Sequence, residues 1–356
     1  MAQNNKPDIL WDKGTAYDLF ASLHVLHHPE KFGLRLSWAA GVRSRLTVPQ
    51  RNILEDAQEA FLGNPLAWVS TLPEPRDAAT FLWELGKIPP ARRLPTLAFH
   101  ADRSPEIMEI LNQVSLRGGW DDAEENRLQQ LFQQKDGPPQ PKSVTPILKW
   151  WAHSEEFGER YLTAIQAYIT VFFAEEERRI NPYLQQASVR AQELGKEMDF
   201  PELMLELSQG VKMAALEQAD LVLFAPSYWI TPLVMYDSMI ENQWVVLFGA
   251  RPAEVALVPG EVIPDAMLRA LKALSDPTRL LILRYLSGQP QTPTQLAKRL
   301  RLRPPTVIHH LSALRLAGLV YVTLDAQEEK RYTVREPAVN ETFKILRKFL
   351  LVKGGK

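Results

Sequence analysis

Two stretches near the C-terminus decide the fold: Ala273-Leu274-Ser275-Asp276-Pro277-Thr278-Arg279-Leu280 and Thr306-Val307-Ile308-His309-His310-Leu311-Ser312-Ala313-Leu314-Arg315. Asp276 reads as a helix N-cap, because its carboxylate can accept from first-turn N–H groups that have no partner within the helix. Pro277 behind it loses nothing, since its missing N–H would be one of those orphans. The helix that follows carries Leu280, Leu281, Leu283 and Leu286 and is expected to end at Gly288, free to take the left-handed cap. Upstream, Met267, Leu268, Leu271 and Leu274 recur at helical spacing and predict a preceding helix. Thr292-Pro293-Thr294-Gln295 is a capping box that opens a short helix through Leu296, Ala297 and Leu300. Arg301-Leu302-Arg303 makes a turn, and Pro304-Pro305 is tolerable only in a first helical turn, so the next helix is predicted over 304–317.

In that helix Val307, Leu311 and Leu314 fall on one face, at i, i+4 and i+7, and must point to a core. Thr306, Ile308, His309, Ser312 and Arg315 lie toward the other sides, and His310 is expected to be partly packed. Gly318 ends the helix. Val320, Val322 and Leu324 alternate, as do Tyr332 and Val334, which predicts a hairpin over 319–335 with its tip at 325–330. A compact helix-turn-helix with such a wing is the geometry that sets one helix in a DNA major groove. The candidate DNA-binding residues are therefore Arg303, Thr306, Ile308, His309, His310, Ser312 and Arg315, with Lys330 and Arg331 placed for phosphates.

Charge and composition shift at the same place. The chain of 356 residues has a net charge of −1, yet residues 261–356 hold 17 Lys and Arg against 8 Asp and Glu, a net of +9. The rest holds 24 against 34, a net of −10, and all nine Trp. A basic tail on an acidic body is the charge footprint of a nucleic-acid module joined to something else. The Pro- and Gly-punctuated stretch from Arg251-Pro252 to Ile263-Pro264-Asp265 is the predicted linker. This divides the chain into a sensor or oligomerisation body, 1–260, and a DNA-binding domain, 261–356.

The Leu-Ser-Asp-Pro-Thr-Arg run, the His-His-Leu-x-x-Leu-Arg-x-Ala-Gly-Leu-Val segment (His309 to Val320) and the wing closed by Tyr332 resemble an ArsR-type winged-helix transcriptional regulator, over about a quarter of the chain. The resemblance implies a homodimer on a palindromic operator, acting as a repressor released by an effector. It also implies that the last helix, Pro337 to Leu350 with Phe343, Leu346, Phe349 and Leu350, joins the first in the dimer interface. Three departures stand out. The family's metal sensors use Cys on the helix corresponding to Thr294–Arg299, and this chain has no Cys. Arg301, Arg303 and Pro305 stand where the family often has Gly and Ser. The wing tip carries Glu328-Glu329, whose charge repels phosphate, so only Lys330 and Arg331 are expected to reach DNA.

The body reads as mostly helical. Ala16, Leu19, Phe20, Leu23 and Leu26 mark one helix, Pro49 and Pro75 sit where helices begin, and Asp121 to Phe132 is a short charged helix. Lys135 to Pro141 is a break, a sub-boundary near 136–142. Phe157, Tyr161, Ile165, Tyr168 and Phe172 mark a long helix that Asn181-Pro182 should kink or end. Leu221 to Phe224 and Trp244 to Phe248 are β-prone and predict a small antiparallel sheet. The fold class is thus mainly α: a helical body with a small antiparallel sheet, plus a C-terminal winged helix-turn-helix.

Other chemistry finds little footing. Without Cys there is no disulfide, thiolate metal site or Cys nucleophile. His24, His27 and His28 have a spacing that suits a metal, but nothing nearby completes a set, so core or surface histidines are expected. Glu175-Glu176-Glu177-Arg178-Arg179 is expected to be a solvated face, with a charge-pairing pocket as the alternative. Trp38, Trp68, Trp83, Trp150, Trp151 and Trp229 are expected to be core or interface, with an aromatic effector pocket as the alternative. No phosphate loop, dinucleotide fingerprint or Gly-x-Ser-x-Gly elbow occurs. The N-terminal residues lack the basic start and apolar core of a signal peptide, so none is expected, and no apolar run is long enough for a membrane span. The expectation is a cytoplasmic, dimeric DNA-binding regulator that binds double-stranded DNA and an unknown small-molecule effector, with no metal, cofactor or catalytic role. The alternatives are an enzyme, or a protein-interaction scaffold, with a winged-helix targeting tail.

Overall fold

The computed structural model describes residues 6–98, 104–133, 143–240, 242–257, 263–324 and 330–351. The break near 136–142, the boundary at 260 and most of the wing tip, including Glu328-Glu329, lie outside these residues.

The body is helical, with the helix Ser154–Tyr168 at its centre. That helix packs on the helices Val48–Ala60 and Pro90–Leu97. Gly158 permits the second crossing, because a Cβ there would meet the Pro90 carbonyl oxygen at 2.1 Å. The predicted helix starts hold with one shift. Pro49 stands in the first turn of Val48–Ala60 behind a Thr47–Gln50 capping box. Pro75 instead precedes its helix, which begins at Ala78 because the Asp77 carboxylate accepts from Thr80 N–H at 2.8 Å. Asn181-Pro182 does not end the long helix. Pro182 lies inside Ala174–Glu197, and the interruption is a π turn at Ile169–Phe173. A wide turn absorbs one extra residue while keeping Tyr168, Phe172 and Phe173 in the core.

The body sheet runs β1–β3–β5–β4, with β1 Asp8–Trp11, β3 Leu221–Ser227, β4 Met235–Ser238 and β5 Gln243–Gly249. The two runs expected to pair antiparallel, Leu221–Phe224 and Trp244–Phe248, lie side by side in parallel, and β1 joins β3 in parallel as well. Only β4 is antiparallel. The reason is burial on both faces. Leu223, Ala225, Val245 and Leu247 meet the main helical core, whereas Val222, Phe224, Val246 and Phe248 meet Phe200, Leu203 and Met204 of the helix Phe200–Leu207. Continuous apolar runs are what a sheet covered on both sides needs.

Asp18 ties the helix Ala16–His27 to the end of β3. Its buried carboxylate accepts from Ser227 Oγ at 2.6 Å and from the Tyr228 and Trp229 N–H groups at 3.1 Å each. Burial pushes its pKa up to about 6 against those hydrogen bonds. The Glu175–Arg179 stretch is a seam rather than a solvated face. Glu176 pairs with Arg179, Arg179 donates to Tyr228 Oη at 2.8 Å, and Glu177 accepts from Thr15 Oγ1 and Ala78 N–H. The Trp residues do not gather around one cavity. Trp38 stacks on Trp229 at 5.5 Å, Trp68 meets Phe81, Trp150 donates to Asp56, Trp151 donates to the Ala60 carbonyl, and Trp83 is exposed.

The C-terminal module follows the predicted order: a leading helix Asp265–Leu274, a second helix Pro277–Leu286, a third Pro293–Leu300, a fourth Pro304–Leu316 and a closing helix Glu336–Leu351. The hairpin strands are β6 Val320–Leu324 and β7 Lys330–Val334, paired antiparallel. Ile282, Leu283, Leu286, Leu296, Val307, Leu311 and Leu314 form its core. Its sheet has a third strand from the body, β2 Val211–Met213, parallel to β6.

Candidate nucleic-acid interface

The module's N-caps do what their chemistry asks, whereas Gly288 takes no left-handed cap: the helix Pro277–Leu286 ends earlier, with Ser287 in a right-handed conformation. The Asp276 carboxylate accepts from Arg279 N–H at 2.9 Å, and backbone hydrogen bonding holds it below the usual carboxylate range. Thr292 and Gln295 exchange both bonds of the capping box, at 3.2 and 2.9 Å. Arg301 takes a left-handed conformation (φ +55°) and closes the third helix, so the fourth can begin behind Arg303. A single bridge between Gln291 and Tyr332 ties the loop before the third helix to β7.

Val307, Leu311 and Leu314 are fully buried, which fixes the orientation of the fourth helix. Arg303, Thr306, Ile308, His309 and Ser312 are exposed on its other side. Ser312 Oγ already donates to the Ile308 carbonyl at 2.8 Å, leaving its lone pairs outward. Lys330 is exposed at the start of β7, and Arg331 is half-buried beside it. Two expected contacts sit elsewhere. His310 turns toward the capping carboxylate, with Nδ1 3.9 Å from Asp276 Oδ1. Arg315 turns away from the exposed face and donates to the carbonyls of Gln209 at 3.2 Å and Ser208 at 3.0 Å, both in the body. Helical period alone puts it on the outward side; the turn Ser208–Gln209 before β2, which the sequence did not announce, meets it there.

The structure adds residues that sequence reasoning missed. A concavity of about 360 Å³ lies between the third helix and β7, lined by Gln289, Gln291, Gln295, Lys298, Arg299 and Arg331. Its cations, Lys298, Arg299 and Arg331, are the residue types that contact phosphates. The signal was there in outline: Lys298-Arg299 follow the buried Leu296-Ala297 pair and so face solvent. Among the described residues no group of three or more His, Cys, Asp or Glu is arranged to hold a metal. His24 and His27 are half-buried, and loss of solvent around them is the main reason their pKa values fall to about 4.

Comparison with known proteins falls on this module. Residues 276–322 match the family described as bacterial regulatory protein, arsR family. A probable mercury resistance operon repressor of Streptomyces lividans is 32% identical over 84 residues, 24% of this chain and 66% of that protein. The match thus spans just under two thirds of that relative's length. An ArsR-like transcriptional regulator from Rhodococcus sp. RHA1 of known structure is 32% identical over 23% of this chain and 75% of its own, with a TM-score of 0.22. The body is assigned by none of these. Residues 276–322 are an ArsR-family helix-turn-helix domain.

Proposed function

We propose that this chain is a dimeric transcriptional repressor in which the helix 304–317 reads an operator and the wing 319–335 grips its backbone. The observation that carries the reading is the division of the fourth helix: a fully buried Val307–Leu311–Leu314 stripe, and an opposite face of Arg303, Thr306, Ile308, His309 and Ser312 open to a groove. The cationic concavity of Lys298, Arg299 and Arg331, between the third helix and β7, suits phosphates.

The dimer reading is supported by the closing helix. Thr342 is its one buried residue among those described, while Phe343, Leu350 and Leu351 are 55%, 68% and 67% exposed. An apolar stripe left open on a helix beside the leading helix suits a second copy of the same surface. Two recognition helices would then address half-sites ~34–36 Å apart. Repression is the role given in the name of the Streptomyces relative. The chain's lack of Cys removes soft thiolate ligands as its input, so the body is assigned a different effector. No helix among the described residues is long and apolar enough to cross a membrane, which is compatible with work in the cytoplasm.

The test is a titration of the full chain against duplexes from its own upstream region and against scrambled duplexes, across a salt series. Tight binding to the former that weakens steeply with salt supports the reading. Equal affinity for scrambled DNA, or salt-independent binding, overturns it.

A further inference from the structure

Among the described residues, two seams join the module to the body. At the leading helix, the Asp265 carboxylate accepts from Arg251 and Arg269 and from Leu257 N–H, and Arg269 reaches the Phe32 carbonyl. The other seam lies directly behind the DNA-reading elements. There β2 runs alongside β6, with Val211, Lys212 and Met213 opposite Val322, Thr323 and Leu324. The Val322 N–H donates to the Gly210 carbonyl at 2.7 Å. Gly210 has φ +109°, and a Cβ there would lie 2.7 Å from the Tyr321 ring, so only glycine seats this strand against the hairpin. Ser208 Oγ accepts from Val211 N–H at 2.8 Å and so braces the turn. The carbonyls of Ser208 and Gln209 are then free to receive the two Nη groups of Arg315, from the last turn of the recognition helix.

This is a costly seat for a cation. Arg315 is largely buried and its bonds go to neutral carbonyl oxygens; burial and the neighbouring Arg335 lower its pKa to about 10. A surface phosphate contact would leave the guanidinium in water until DNA arrived. Instead its planar fork is spent on two backbone acceptors 106 and 107 residues away in sequence. The conformation that engages the seam also leaves Arg303, Thr306, Ile308, His309 and Ser312 uncovered. The seam therefore supports the reading face and does not block it.

We propose that Arg315 is a positioning residue: together with β2 it fastens the recognition helix and the wing to the body in their DNA-reading pose, so that the body sets DNA affinity through this seam. The inference rests on the DNA-binding reading above. A helix and hairpin held in the bound pose spend less conformational freedom on docking than loose ones. By linkage, DNA bound at the helix must in turn steady β2.

The experiment compares full-length wild type, Arg315→Ala, Arg315→Lys and Gly210→Val in two measurements. The first is duplex affinity over a salt series, using a fragment of the chain's own upstream region. The second is amide hydrogen exchange at Val211–Met213 and Val322, with and without DNA. Arg315→Ala and Gly210→Val are expected to bind about tenfold more weakly with the salt slope unchanged, since no phosphate contact is lost. Arg315→Lys keeps the charge but loses the fork, and should fall between them and wild type. Exchange at Val322 should quicken in all three, and DNA should slow exchange at Val211–Met213 in wild type. A salt slope lower by about one in Arg315→Ala, with Gly210→Val like wild type, would mean that Arg315 grips a phosphate and overturns the inference. Wild-type affinity in every variant overturns it too. If Gly210→Val does not fold, the two Arg315 variants decide alone. A wild type that binds no duplex defeats the functional reading itself, whatever exchange shows at the seam.

Discussion

The body and the C-terminal module are stabilised by contacts of opposite range. In the module, Asp276 caps its own first turn, Thr292 and Gln295 close a box three residues wide, and the stripe Val307–Leu311–Leu314 repeats within one helix. In the body, β1 pairs with a strand more than 200 residues later, and Asp18 reaches Ser227, Tyr228 and Trp229 across a similar gap. Local contacts leave a trace in a short window of sequence; distant ones leave residues whose partners cannot be read from their neighbours. The contrast shows where perturbations should spread and where they should stay.

The largest effect is expected from Asp18→Ala. It strands three buried donors at once, each worth ~1–3 kcal/mol, so denaturant unfolding of the full chain should report a loss of about 5 kcal/mol. A loss under ~1 kcal/mol would show that the body does not depend on this long-range clasp. Leu311→Ala comes next. Opening a cavity in the small module core should cost about 3 kcal/mol and remove duplex binding, while the body's Trp fluorescence stays native, because every Trp lies in the body. Fluorescence that collapses together with DNA binding would mean the two regions unfold as one.

Acid sharpens the comparison from the body's side. His24 and His27 have folded pKa values near 4 against an ordinary 6.5, so the unfolded chain binds more protons and stability falls as pH drops from 6.5 to 4. Asp18 works the other way: its folded pKa is about 6 against 3.8, so its burden at neutral pH is relieved as pH falls through 6. Two histidines outweigh one carboxyl, leaving a net loss on the order of 1.4 kcal/mol per pH unit in that window. Asp276 and Asp265, both held below the usual carboxylate range, add their losses only at lower pH. Stability that rises between pH 6.5 and 4 would break this account. Smaller still, Asp276→Ala should cost about 1 kcal/mol, seen as a lowered midpoint in urea. Smallest for folding is His309→Ala, within ~0.5 kcal/mol, yet it should relax sequence preference among duplexes with the salt slope unchanged.

Legibility followed the same divide. The caps at Asp276 and Thr292, the Pro304 helix start and the alternation of β6 and β7 were all readable, as was the exposed set Arg303, Thr306, Ile308, His309 and Ser312. Arg315 was not, because helical periodicity gives the side a residue faces but not what lies on that side. His310 was half legible: its partial packing was expected, its approach to Asp276 was not. In the body, the β-prone runs were visible, but their direction was not. An apolar run reads the same whether its neighbour is parallel or antiparallel, and β1, β2 and β4 are too short to announce themselves.

By itself, then, the sequence determined a winged helix-turn-helix with a basic surface, because capping, helical period and charge are properties of a few consecutive residues. The tertiary structure alone decided that the body sheet is mostly parallel, that Lys298 and Arg299 share a concavity with Arg331, and that a body strand completes the wing's sheet while the turn before it takes Arg315. Those features depend on which distant segments become neighbours, and that is set by the packing of the whole chain.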